Sequence, residues 1–144
     1  RYCGRPVLLV PANLRNEMVG HSVLVGWNGS KQAVRAAHDV LQLLSAGDKV
    51  EIMKISDTST NGEPDDSTKD LAAAFDRHGI DTTVVQRTWS KPGVSEVLSK
   101  EAFEIGADMI AVGAFGHSRI YDLVVGAATR NLLAHSDLPV MFSR

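Results

Sequence analysis

Cysteine is almost missing from this chain: Cys3 is the only one among 144 residues. One thiol cannot close an internal disulfide, build a multi-cysteine zinc site or form a CxxC redox pair, and such sparing use fits a reducing, cytoplasmic compartment. Long apolar runs are missing too. Segments such as residues 109–112, Met-Ile-Ala-Val, fall far short of the roughly 20 residues that cross a bilayer, so no membrane partner is expected. Charge of one sign is nowhere concentrated: 15 basic residues stand against 17 acidic ones, a formal net charge of -2. That balance argues against a nucleic-acid partner held by bulk electrostatics and against a disordered acidic tail. His21, His38, His78 and His135 follow no metal-ligand spacing, and the isolated serines, histidines and aspartates form no nucleophilic triad with supporting motifs. Neither Gly-x-x-x-x-Gly-Lys-Ser/Thr nor Gly-x-Gly-x-x-Gly occurs, so this is neither a P-loop nor the dinucleotide fingerprint. Asn28-Gly29-Ser30 has the spelling of a glycosylation acceptor, but nothing secretory accompanies it.

What is present suffices for a core. At 44% hydrophobic, about 63 of 144 side chains, the chain is expected to form one compact domain. Short apolar runs alternate with segments of helical spacing, the pattern of βαβ units around a mostly parallel sheet. Residues 23–27 read as a first strand. Ala33, Ala37, Val40, Leu41 and Leu44 then share one face of a helix that ends near Gly47. Residues 50–55 form a second strand, and residues 56–66, rich in Ser, Thr, Asn, Gly, Pro and Asp, a long surface loop. Leu71, Ala72 and Phe75 anchor a short helix closed by Gly79. Residues 80–86 alternate apolar and polar, as a half-exposed strand near the sheet edge does. Beyond a turn at residues 89–93, Val94, Val97, Leu98, Ala102 and Ile105 mark a third helix, with Gly106 as its terminator. Residues 109–112 are apolar on both faces and belong at the sheet centre. Ile120, Leu123, Val124, Ala127, Ala128 and Leu132 give a fourth helix, and residues 138–142 the last strand.

Pro139 lacks an amide hydrogen, which confines that last strand to an edge or to starting at the proline. Residues 5–10, Arg-Pro-Val-Leu-Leu-Val, echo residues 138–142, Leu-Pro-Val-Met-Phe. The echo predicts that residues 1–12 are the closing strand of a preceding domain, residues 13–20 a linker and residues 21–144 the domain proper. Chance similarity of two short apolar segments is the alternative. An opening at Arg1 rather than Met agrees with a piece of something longer. Residues 6–10 are expected to pair antiparallel with residues 138–142, within the chain or across a dimer.

The segment that carries chemistry is Gly113-Ala-Phe-Gly116-His117-Ser118-Arg119, where the central strand hands over to the fourth helix. Glycines at such a turn let the backbone approach a ligand closely, and the unpaired amides of the first helical turn attract an anion such as phosphate. Gly-x-x-Gly in that place equally serves close strand-helix packing.

On these residues the sequence resembles the universal stress protein family, whose nucleotide-binding members carry Gly, two residues, Gly, nine residues, Gly and then Ser or Thr. Gly113, Gly116 and Gly126 keep that spacing. Val-Gly-Trp-Asn-Gly-Ser at 25–30 stands where the family has Val-Asp-Gly-Ser. With Gly-Ala-Asp-Met-Ile-Ala-Val-Gly at 106–113 and the Pro-Val-led last strand, the likeness covers about residues 21–143. The resemblance implies an α/β fold: a three-layer open sandwich with a five-stranded parallel sheet of order 3-2-1-4-5, plus the extra N-terminal strand against the last one. It also implies pairing of final strands, in a homodimer or in a pseudo-dimer with a preceding tandem domain. The implied ligand is ATP, or AMP or ADP, with Mg2+ arriving only through the nucleotide. The implied site comprises Trp27, Asn28, Gly29, Ile55, Gly113, Gly116, His117, Ser118, Arg119, Gly126, Ala127, Ala128 and Thr129.

Two positions depart from the family pattern. Ala127 follows Gly126 where nucleotide-binding members have Ser or Thr, and Thr129, two residues on, matches a second hydroxyl position. Asn28 replaces an aspartate near the ribose and metal, which weakens metal binding yet removes a like charge from beside the polyphosphate. Trp27 either stacks on adenine or packs in the core. His117 donates to a phosphate or faces water, in a first turn whose dipole disfavours protonation. Ser118 caps the helix, bonds a phosphate oxygen, or does both. Arg119 and Arg130 meet phosphate charge or stay solvated. At Ile55 family members present backbone atoms to adenine, a contact without a side-chain signature. The expected function is an ATP-binding regulatory stress-response domain, non-catalytic or at most weakly hydrolytic, because Asn28 cannot take a proton. The alternative, favoured by Ala127 and Asn28, is a degenerate copy that binds no nucleotide and serves dimer or tandem assembly.

Overall fold

A computed structural model describes residues 4–56, 65–88, 93–113 and 136–144. Along the chain these form β1 (Val7–Leu9), β2 (Ser22–Trp27), α1 (Lys31–Leu41), β3 (Lys49–Ser56), α2 (Asp66–Arg77), β4 (Asp81–Thr88), α3 (Val94–Glu104), β5 (Met109–Gly113) and β6 (Val140–Ser143). The six strands make one sheet of order β1-β6-β5-β2-β3-β4. The five strands from β2 onward are parallel to their neighbours. Only β1 runs antiparallel, with Val7 opposite Phe142, Leu8 opposite Met141 and Leu9 opposite Val140. The expected 3-2-1-4-5 order and the antiparallel N-terminal strand are both present.

Side chains alternate across the pleat, and each face therefore collects its own core. Val23, Val25 and Trp27 of β2 face α1 and α2, where Ala33, Ala37, Val40 and Phe75 meet Ile52, Met109 and Met141. Leu24, Met53, Ile110, Val140 and Phe142 face the other way, against Val94, Leu98 and Ala102 of α3. Fully buried side chains of this size contribute about 1.5–3 kcal/mol each. The alanines of α1 let that helix lie close on the sheet. Its start is fixed by Ser30, in extended conformation, whose Oγ accepts from the Ala33 amide at 3.2 Å.

Boundaries differ from the pattern where polar side chains recruit the backbone. α1 stops at Leu41, well before Gly47, because the next turn closes on itself: Ser45 N–H donates to the Asp48 carboxylate at 2.7 Å, and Asp48 N–H to the Ser45 carbonyl at 3.0 Å. α2 spans 12 residues and starts at Asp66, inside the stretch read as loop. Asp65 caps it, accepting from the Thr68 amide at 3.0 Å and the Thr68 hydroxyl at 2.8 Å. The second and third strands run on to Ser56 and Thr88, where pairing between β3 and β4 continues. β6 begins just past Pro139, whose carbonyl still accepts from the Ile110 amide at 3.0 Å. The fourth helix, the turn at residues 89–92 and most of the glycine loop lie outside the described residues.

The order of connection places a reversal at the middle of the sheet. From β2 the chain moves through β3 and β4 toward one edge, with α1 and α2 on one face. It then returns through α3, on the opposite face, to β5 on the other side of β2. Open α/β sheets take ligands outside the carboxyl ends of the strands at such a switch point.

Candidate functional site

The carboxyl ends of β2 and β5 bring Asn28, Gly29, Ser30 and Gly113 to this switch point. The Asn28 side-chain carbonyl accepts from the Ser30 amide at 3.1 Å and from the Ser30 hydroxyl at 2.7 Å. Ser30 thus joins the Asn28 turn to the helix start, because the same hydroxyl oxygen accepts from Ala33. Gly29 has φ of 74°, a conformation that disfavours other residues, and among the described residues nothing lies within 4 Å of where a Cβ would be.

Gly113 is short of room, not of conformational freedom. A Cβ there would sit 2.6 Å from the Gln32 carbonyl carbon and 2.7 Å from the Ala33 nitrogen. The missing side chain lets the first turn of α1 rest on the end of β5, so the positive end of the helix dipole stands at the crevice. No acidic residue occupies that first turn.

Trp27 ends β2 with 4% exposure, packed in the core beneath α1 and α2. Its indole N–H donates to the Ser67 hydroxyl at 3.4 Å. The ring is therefore a core side chain, the packing alternative of the two that its position leaves open. Ile55 lies one strand away near the end of β3, half-buried against the α3-side core. Beside it, Lys54 forms an ion pair with Asp65. Lys54 foremost, then the Ser67 and Thr68 hydroxyls, hold the Asp65 carboxyl well below its ordinary pKa. Gly116, His117, Ser118, Arg119, Gly126, Ala127, Ala128 and Thr129 lie outside the described residues. Among the described residues no group of three His, Cys, Asp or Glu side chains is placed to hold a metal ion.

Sequence reasoning missed Lys54, Asp65 and Ser67 at this rim. The spelling Asp65-Asp66-Ser67-Thr68 carried a usable cap signal, hidden by the loop-like composition upstream. Asp108 was also unassigned, and it acts at the opposite end of the sheet. Its Oδ1 accepts from the Gly20 amide at 2.8 Å, and its Oδ2 from the His21 and Ser22 amides at 3.0 and 3.1 Å. That clamp fixes where β2 starts beside β5.

Comparison with curated proteins returns no match. A model of the universal stress protein family matches residues 21–144. Among solved structures, a universal stress protein from Archaeoglobus fulgidus DSM 4304 superposes with a TM-score of 0.76 at 19% identity, covering 98% of this chain and 50% of that one. The chain thus spans half the length of that neighbour. A universal stress protein in complex with cAMP gives 0.60 at 21% identity, covering 86% of this chain and 96% of its own. A universal stress protein from Archaeoglobus fulgidus in complex with dAMP gives 0.59 at 15% identity, covering 88% and 100%. At such identities structural likeness speaks for the fold alone, whereas the family match extends from the clamp ahead of β2 to the last residue: this chain belongs to the universal stress protein family.

Proposed function

We propose that the chain is an adenine-nucleotide-binding regulatory domain that holds ATP at the carboxyl ends of β2 and β5 and signals through occupancy. The observation that carries this is the switch point itself, flanked by the left-handed turn at Gly29 and by the start of the glycine loop at Gly113. Two fold neighbours described in complex with cAMP and dAMP support an adenine ligand. The residues present fit such a group. The first turn of α1 brings no carboxylate to repel phosphate, and Asn28 is neutral. Its carbonyl is already engaged by Ser30, so Mg2+ would be held through the nucleotide. Turnover is no part of the proposal, because Asn28 offers no general base. Titration calorimetry with Mg-ATP, and with ADP, AMP and cAMP in parallel, tests it. A saturable isotherm that Gly116→Val abolishes is expected. No heat from any of the four, together with no protection against thermal unfolding, overturns it.

A specific observation favours assembly as a second role. The β1·β6 register is centred on Leu8 opposite Met141, and Pro6 and Pro139 each precede that centre by two residues. Exchanging the two strands maps the pairing onto itself. This symmetry supports reading β1 as the counterpart of the last strand of another copy, in a pseudo-dimer with a preceding tandem domain. Adenine nucleotide released by heat from the purified protein separates the two roles: its recovery excludes a purely assembling, ligand-free copy.

A further inference from the structure

On the sheet face that α3 covers, charged side chains from three elements meet. Arg87 of β4 grips Glu101 of α3 through two parallel bonds, Nε to Oε2 and Nη2 to Oε1, each 2.9 Å. Glu101 is only 5% exposed. Glu51 of β3 turns its carboxyl toward Glu101, and its Oε1 is buried without a hydrogen-bond partner among the described residues. The strands on either side of Glu51 bring Leu24 and Thr83 opposite it, which offer no cation. On α3, Glu104 adds a further negative charge toward Glu51, while Lys100 lies 3.8 Å from Glu104 and also favours the charged form of Glu101. On β3 itself Lys49 shares the face of Glu51 one pleat earlier. Two carboxyls therefore face each other beside one guanidinium that Glu101 already holds.

We propose that Glu51, Glu101 and Arg87 form a proton-operated latch between α3 and the β3–β4 edge. With Glu51 protonated, its O–H donates to the Glu101 carboxylate, the three groups sum to zero charge, and the helix is fastened. When Glu51 releases that proton to solvent the sum becomes -1, two carboxylates oppose each other, and the fastening loosens. α3 starts at Gly93 without a side-chain cap, unlike α1 and α2. Burial first, then the hydrogen bond and charge of Glu101, push the Glu51 carboxyl up to about 7, so the latch works near neutral pH. Burial opposes the charge on Glu101, but its bonds to Glu51 and Arg87 hold it below the ordinary value.

Two readouts on the intact chain test the latch. In a carboxyl carbon NMR titration Glu51 should show a midpoint near neutral pH. Amide exchange should show protection factors in α3 falling several-fold between pH 6 and pH 8, with β2 amides as the internal reference. Glu51→Gln, whose amide donates without titrating, should keep α3 protection level across that range. A Glu51 midpoint below pH 5 overturns the proposal, as does an α3 pH response shared equally by parent and Glu51→Gln. Should the variant fail to fold, the carboxyl titration of the parent decides.

Discussion

Gly113 shows how one residue answers two demands. Its sequence position suggests a loop that approaches a ligand, and the structure adds a helix that leaves no space for a Cβ. Because the atoms in the way are Gln32 and Ala33 backbone, they cannot yield without shifting α1. Gly113→Ala is expected to destabilise the fold by about 1–3 kcal/mol, read as a lower denaturant midpoint at unchanged slope. Asp108→Ala should cost about 2 kcal/mol or more, since three amides at residues 20–22 lose a charged acceptor. Ser30→Ala removes both the cap of α1 and a partner of Asn28, and a loss of about 1 kcal/mol is expected. At this scale the sequence was legible in residue type but not in partnership. Trp27 carried no mark of which way its ring would turn, and the tie of Asn28 to Ser30 is a matter of side-chain rotamers. Asp108 bridges 86 to 88 positions of chain, a contact that no local pattern encodes.

Elements were legible where burial repeats. Apolar runs at β2 and β5, the alternation at β4 and the spacing of Val94, Leu98 and Ala102 each follow from a face that packs on a core. Ends were less so, because Asp48 and Asp65 decide them through local hydrogen bonds that compete with the helical pattern. A pH dependence belongs to this scale. Glu51 holds its proton more tightly folded, at about 7, than at its ordinary 4.5. The folded chain then binds more protons than the unfolded one between those values, and stability falls as pH rises through that window. His21 works with the same sign. Hydrogen bonding and charge from Asp48 raise its pKa above 6.5, so its contribution is present below that value and fades as pH rises above it. Thermal midpoints are expected to decline from about pH 5 to about pH 7, with the smaller His21 share still fading beyond. His21→Asn should retain most of the decline and Glu51→Gln should remove most of it.

For the whole molecule the order of strands followed from the family likeness and the pairing of β1 with β6 from two Pro-led segments. The rim of the crevice was harder to read, because it is assembled from β2, β3, α2 and β5, which are distant in sequence. Val7, Leu8 and Leu9 are 37–45% exposed on a strand whose outer edge is unpaired among the described residues, and Val10 just beyond it is 56% exposed, a surface that invites a second copy. Sedimentation should show concentration-dependent association of the parent chain that Leu8→Lys with Val10→Lys weakens. A parent that stays monomeric throughout contradicts an assembling role for this strand.

An adenine nucleotide in the crevice between β2 and β5, as proposed, should be visible residue by residue. The most direct test is an amide NMR titration with Mg-ATP. The predicted result is saturable shifts at Gly29, Ser30 and Gly113, with Gly20, His21 and Ser22 at the opposite end of the sheet unmoved. Shifts confined to that opposite end, or none at saturating nucleotide, would contradict it.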